Sequence, residues 1–173
     1  MKKNIIGLML ILTVSMSMVS AQQDTKFQAI FLYNFTRQLG WPDTYKTGDI
    51  VIKVLGESEV VDELNAFAKN NPVNGQNVVS QATSASNIGK CHIIFIPQAK
   101  SNELNTVITS LEGSSTLIVT EQSNLTTKGA GISFIQIKEG DGSSILKYQF
   151  NTENISKYKI KVSSNFMTLG LSQ

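Results

Sequence analysis

The chain has a single cysteine, Cys91, a single histidine, His92, and a single arginine, Arg37. With one thiol no disulfide can form within the chain, so stability has to come from packing. With one guanidinium, the forked arginine contacts that grip phosphates and base edges are excluded as a general mode of recognition. One His and one Cys fall short of a zinc shell unless carboxylates complete it. No internal repeat, low-complexity tract or long linker divides the sequence. Apolar runs long enough to approach a membrane span are also missing after residue 21.

The one long apolar run is Ile5 to Val19, behind Lys2 and Lys3 and ahead of the small residues Val19-Ser20-Ala21. This pattern reads as a signal peptide, residues 1–21, cleaved after Ala21; the alternative is an uncleaved anchor. No Cys lies near the cleavage position, so a lipid anchor is not expected. The segment carries two of the 15 basic residues and none of the 13 acidic ones. Residues 22–173 are therefore charge-balanced, with no long-range pull on nucleic acid or anionic lipid. They are enough for one ordinary core and too few for two domains.

Hydrophobic periodicity alternates between helix and strand along residues 22–173. Phe27, Phe31, Phe35 and Leu39 recur every fourth residue, a helical stripe ended by Trp41-Pro42. Ile50 to Leu55 reads as a strand, then Val60, Val61, Leu64, Phe67 and Ala68 as a helical face, and Val78-Val79 as a weak strand. His92 to Ile96 is apolar without alternation, as in a central strand covered on both faces. Ser101 is the expected N-cap of a helix bearing Leu104, Val107, Ile108 and Leu111, and Thr116 to Val119 returns as a strand, together a βαβ crossover. Ile132 to Ile137 and Ile145 to Phe150, joined through Glu139-Gly140-Asp141-Gly142, form an antiparallel hairpin. Asn151 caps a short helix, Lys159 to Val162 is a last strand, and Ser163 opens a terminal helix. The expected fold is α/β: a single compact layered domain with a mixed, mostly parallel sheet flanked by helices.

The inventory for catalysis is thin. Cys91 and His92 are adjacent, and consecutive strand positions point to opposite faces, so they do not make a thiolate–base pair. Cys91 leads into an apolar run, where a buried, inert thiol is expected; the alternative is a bond joining two chains. A serine triad could form only through His92, and no Gly-x-Ser-x-Gly elbow is present. Glu139-Gly-Asp-Gly-Ser-Ser lacks the ligand spacing of a calcium loop and reads as a turn. Gly129-Ala-Gly131 precedes a strand, whereas a phosphate loop follows one and opens a helix. No catalytic residue, metal ligand or cofactor is expected. Asn34 projects within about 20° of Phe27 on the helical stripe, so its amide either hydrogen-bonds inside the core or meets a ligand.

Ala29-Ile-Phe-Leu-Tyr-Asn-Phe-Thr with Trp41-Pro42, then Ile52-Lys-Val-Leu-Gly56, Cys91-His-Ile-Ile-Phe-Ile96, Gly131-Ile-Ser-Phe and the closing Val162-Ser-Ser-Asn-Phe-Met together resemble the YfiR-like family of exported bacterial proteins. The likeness runs over nearly all of residues 22–173. It implies a compact α/β sandwich and regulation by binding: a periplasmic, non-catalytic protein that represses a membrane diguanylate cyclase and so lowers cyclic di-GMP, or one that acts on a histidine kinase. The family's founding type has several cysteines and redox-sensitive disulfides, so its redox switching does not carry over to a chain holding only Cys91. Matching positions include Tyr33, Asn34 and Trp41, which are the expected partner contacts; Tyr33 and Trp41 combine apolar area with a hydrogen-bonding tip. A homodimer is the default for self-association. The alternative function is binding of a small periplasmic molecule at the carboxyl ends of the parallel strands.

Overall fold

A computed structural model describes residues 22–173. The expected signal segment, residues 1–21, lies outside the described residues. The chain enters as helix α1, residues 22–38. Its buried side is formed by Gln28, Ala29, Leu32, Tyr33, Phe35 and Thr36, while Phe27 is 44% exposed. The expected Phe27–Phe31–Phe35–Leu39 stripe therefore fails at both ends. A strict every-fourth-residue row advances about 40° beyond a full turn at each step, so it winds off the face that its middle members share. Leu39 has already left the helix for a two-residue strand, β1 (Leu39–Gly40).

The main sheet has seven strands in the order β3-β2-β4-β5-β6-β7-β9. β2 (Ile50–Leu55), β3 (Val78–Thr83), β4 (Ile93–Ile96), β5 (Leu117–Thr120) and β6 (Ile132–Lys138) pair in parallel. β4 and β5 are wholly buried, because helices cover both faces of their continuous apolar runs. α2 (Glu59–Ala68) follows β2 and is capped by Ser58, whose hydroxyl accepts from Val60 N–H; Val60, Leu64 and Ala68 face the core. α3 (Leu104–Ser110) links β4 to β5, completing the crossover read from the sequence.

Two expectations need correction. Ser101 does not cap α3: it lies in a 3-10 turn (Gln98–Glu103) and its hydroxyl donates back to the Gln98 carbonyl at 2.6 Å, because the chain tightens before it becomes helical. The last strand expected at Lys159 to Val162 is present but shorter: only β8 (Lys161–Val162) is extended, and it pairs antiparallel with β1 as a separate ribbon. The main sheet instead gains β9 (Leu171–Ser172) beside the carboxyl end of β7 (Ser144–Phe150).

The hairpin of β6 and β7 is antiparallel from Ile132↔Phe150 to Lys138↔Ser144. Its turn is closed by Glu139 N–H donating to the Ser143 carbonyl at 2.8 Å and by Asp141 Oδ1 accepting from Ser143 N–H and Oγ. Asn151 Oδ1 accepts from Asn154 N–H to start α4 (Thr152–Lys157), and Ser163 Oγ accepts from Phe166 N–H to start α5 (Ser164–Leu169), both as expected. On one face of the sheet, Phe35 of α1 packs edge-on to Tyr148 at 5.0 Å and to Phe166 of α5 at 5.7 Å, with Phe134 beneath. This aromatic cluster joins the first and last helices. Among the described residues no helix is long and apolar enough to cross a membrane.

Candidate functional site

Cys91 and His92 enter β4 from the amino end of the sheet. Burial pushes the Cys91 thiol up to about 11, outweighing the nearby Thr116 hydroxyl at 3.9 Å. It is a protonated thiol at neutral pH, the opposite of an activated nucleophile. His92 Nδ1 accepts from Val51 N–H at 3.1 Å, which places the proton of the neutral ring on Nε2, where it is donated to the Tyr45 carbonyl at 2.9 Å. Both ring nitrogens are thereby committed to backbone, and neither reaches a serine. Burial holds His92 below its ordinary value of 6.5; the bond to the Tyr45 carbonyl opposes this and the Lys90 charge adds to it. The imidazole ties β2 to the turn at Asp43–Tyr45, and Trp41 and Tyr45 stand edge-on to it at 5.4 and 5.1 Å.

Tyr33, Asn34 and Trp41 are not gathered into one site. Tyr33 is 5% exposed, its ring edge-on to Phe67 at 5.0 Å and its hydroxyl donating to the Asn71 carbonyl at 3.1 Å. It walls a cleft of about 430 Å³ with Arg37 and the segment 70–74. Trp41 walls a second cleft of about 330 Å³ with Thr36, Tyr45, Gln76 and His92, and its Nε1 is sealed from solvent without a hydrogen-bond partner. The two clefts share Asn74. That residue and Gly75 turn the chain tightly with positive φ values of 52° and 81°, an Asn-Gly signal that was legible in the sequence. Neither Tyr33 nor Trp41 presents the polar tip expected at a partner surface. Asn34 is half-buried, and its amide makes no hydrogen bond to a described residue, so it does not satisfy the in-core alternative.

A larger crevice, about 600 Å³, opens at the carboxyl ends of β4 and β5. Glu121, the residue after β5, lines it. One carboxylate oxygen accepts from Gln28 Nε2 at 3.0 Å and the other from Gln98 N–H at 2.7 Å, so helix α1 and the turn after β4 fix it together. On the far wall Gln136 of β6 donates from Nε2 to Asp24 of α1 at 2.9 Å, and Gln149 leaves Oε1 buried without a partner. Phe134, Ile135 and Leu146 add apolar area. None of these polar residues was singled out from the sequence, although a carboxylate directly behind a parallel strand was the available signal.

A thiol and an imidazole spent on structure at the amino end of the sheet and a polar crevice at its carboxyl end belong to one layered α/β domain. Residues 25–170 match the family described as YfiR/HmsC-like, and the chain belongs to that family. A search of curated proteins finds no match. Membership supports a periplasmic regulatory role in cyclic di-GMP signalling, the work of a regulator rather than a catalyst.

Proposed function

We propose that this protein is exported by its first 21 residues and that residues 22–173 bind and repress the periplasmic part of a membrane signalling protein, a diguanylate cyclase or a sensor kinase. The observation that carries the reading is the family match over residues 25–170. The committed ring of His92 and the raised thiol of Cys91 support a role in binding, since the two side chains best suited to proton transfer and attack are employed elsewhere. Tyr33, Asn34 and Trp41 are the proposed partner contacts: Tyr33 and Trp41 shape the walls of clefts, and the half-buried Asn34 on α1 supports the proposal with a polar side chain at the surface.

Cross-linking of the tagged protein in its native cells, followed by mass spectrometry, tests this directly. The expected product is one membrane cyclase or kinase, and deletion of the regulator raises cyclic di-GMP if that partner is a cyclase. Self-crosslinks alone would overturn the regulatory reading in favour of the alternative, binding of a small periplasmic molecule.

A further inference from the structure

The sheet guards one outer strand and leaves an inner one open. Along β3, Asn65 of α2 donates from Nδ2 to the Ser80 carbonyl at 2.9 Å and accepts from Ser80 N–H at 2.8 Å, so a side-chain amide stands where a further strand would pair. Among the described residues, no side chain guards β6 in this way. Its parallel ladder with β5 stops at Thr120↔Ser133, while its antiparallel ladder with β7 runs on to Lys138↔Ser144. At the ends of that ladder Asn151 N–H donates to the Gly131 carbonyl and Glu139 N–H to the Ser143 carbonyl. Odd-numbered residues of β6 thus bond to β7. Backbone groups alternate sides along a strand, so Gln136 and Lys138 direct their N–H and C=O to the side that β5 has left.

The crevice opens against this edge. Asp24 and Glu121 line it, held by amides and a backbone N–H; among the described residues the ion pairs involve neither and no lysine or arginine lines the crevice. We propose that an extended segment of the signalling partner adds as a strand along Gln136–Lys138 and sets a lysine or arginine side chain against Asp24 and Glu121. This rests on the regulatory reading and supplies its surface. Main-chain bonds give an added strand affinity, and alternate side chains choose its sequence. A second copy, which would bring Lys138 opposite Gln136 in a two-fold antiparallel pairing, is the competing occupant, and self-crosslinks lost with Gln136→Pro would assign the edge to it and overturn the proposal.

The test repeats the native cross-linking with three variants. Glu121→Lys reverses the charge, Gln136→Pro removes the outward N–H at a position where an open edge tolerates proline, and Asp62→Lys on α2 controls for a charge change elsewhere. Capture of the membrane partner should fall at least tenfold with Glu121→Lys and with Gln136→Pro, and stay unchanged with Asp62→Lys, each variant still unfolding in one cooperative transition above the temperature of the assay. If Gln136→Pro fails to fold, amide exchange in the wild-type complex decides, with Gln136 and Lys138 slowed at least tenfold. Undiminished capture by Glu121→Lys, or unchanged exchange at those amides, overturns the docking edge while the regulatory reading stands. Absence of any membrane partner from the wild type overturns the regulatory reading. Two blocked pentapeptides, Thr-Val-Lys-Val-Thr and its Glu counterpart, then judge the edge alone: amide shifts at Gln136 and Lys138 with the lysine probe sustain it, and none at millimolar peptide sinks it. Stabilisation by a dialysable metabolite that Glu121→Lys abolishes would assign the crevice to a small ligand instead.

Discussion

His92 shows how a residue type associated with catalysis is spent on architecture. Its neutral ring accepts from one backbone group and donates to another, and protonation would set a second N–H against Val51 N–H. The folded value lies below the ordinary 6.5, chiefly because of burial, so below that pH the unfolded chain binds more protons than the folded one. Stability from this residue is complete above about pH 6.5 and is lost as the pH falls toward the folded value. Thermal melts from pH 7.5 to 5 should show the fall, and His92→Ala should remove that component while costing about 2–3 kcal/mol through two orphaned backbone groups. Cys91 gives a companion expectation: alkylation in the native protein at pH 8 should be at least a hundredfold slower than after unfolding, as read by mass spectrometry. Its burial was legible in the apolar run that follows it. The role of Glu121 was not, because it depends on Gln28 and Gln98 brought in from two other elements.

Among the elements, the hairpin and the caps at Asn151 and Ser163 were written locally: a glycine-rich link between two β-forming runs, and a short polar side chain three residues ahead of the amide it receives. Two-residue strands carry no periodicity, so β1 and β9 could be found only once their partners were in place, and the strand expected at Lys159 to Val162 was legible only as β8 without its partner. β9 depends on a close approach. A methyl group at Gly170 would stand 2.2 Å from the Tyr148 ring and 2.8 Å from that of Phe150, both fully buried. Gly170→Ala should therefore destabilise the protein by about 1–3 kcal/mol through overpacking. Denaturant melts measure the loss, and faster amide exchange at Gln173, whose N–H donates to the Phe150 carbonyl, would locate it at β9.

At the scale of the whole molecule, the alternation of helix and strand identified an α/β sheet, and the mixed pairing followed from one short connection. How α1 and α5 meet was beyond reach, since no local pattern records that Phe35 and Phe166 share one cluster with Tyr148. Phe166→Ala should cost about 3–5 kcal/mol and lower a single cooperative unfolding transition, because the ring it removes serves both ends of the chain. Two separate transitions in a calorimetric scan would contradict that coupling. The same cluster governs timing. Contacts between the first and last helices have the highest loop-closure cost in the chain, so this part of the core is the slowest to assemble and cannot close until the final residues are available. A chain threaded through a translocon from its amino end meets that condition only when its last helix has crossed. Under the export proposed above, the cluster would thus hold folding back until the far side of the membrane is reached.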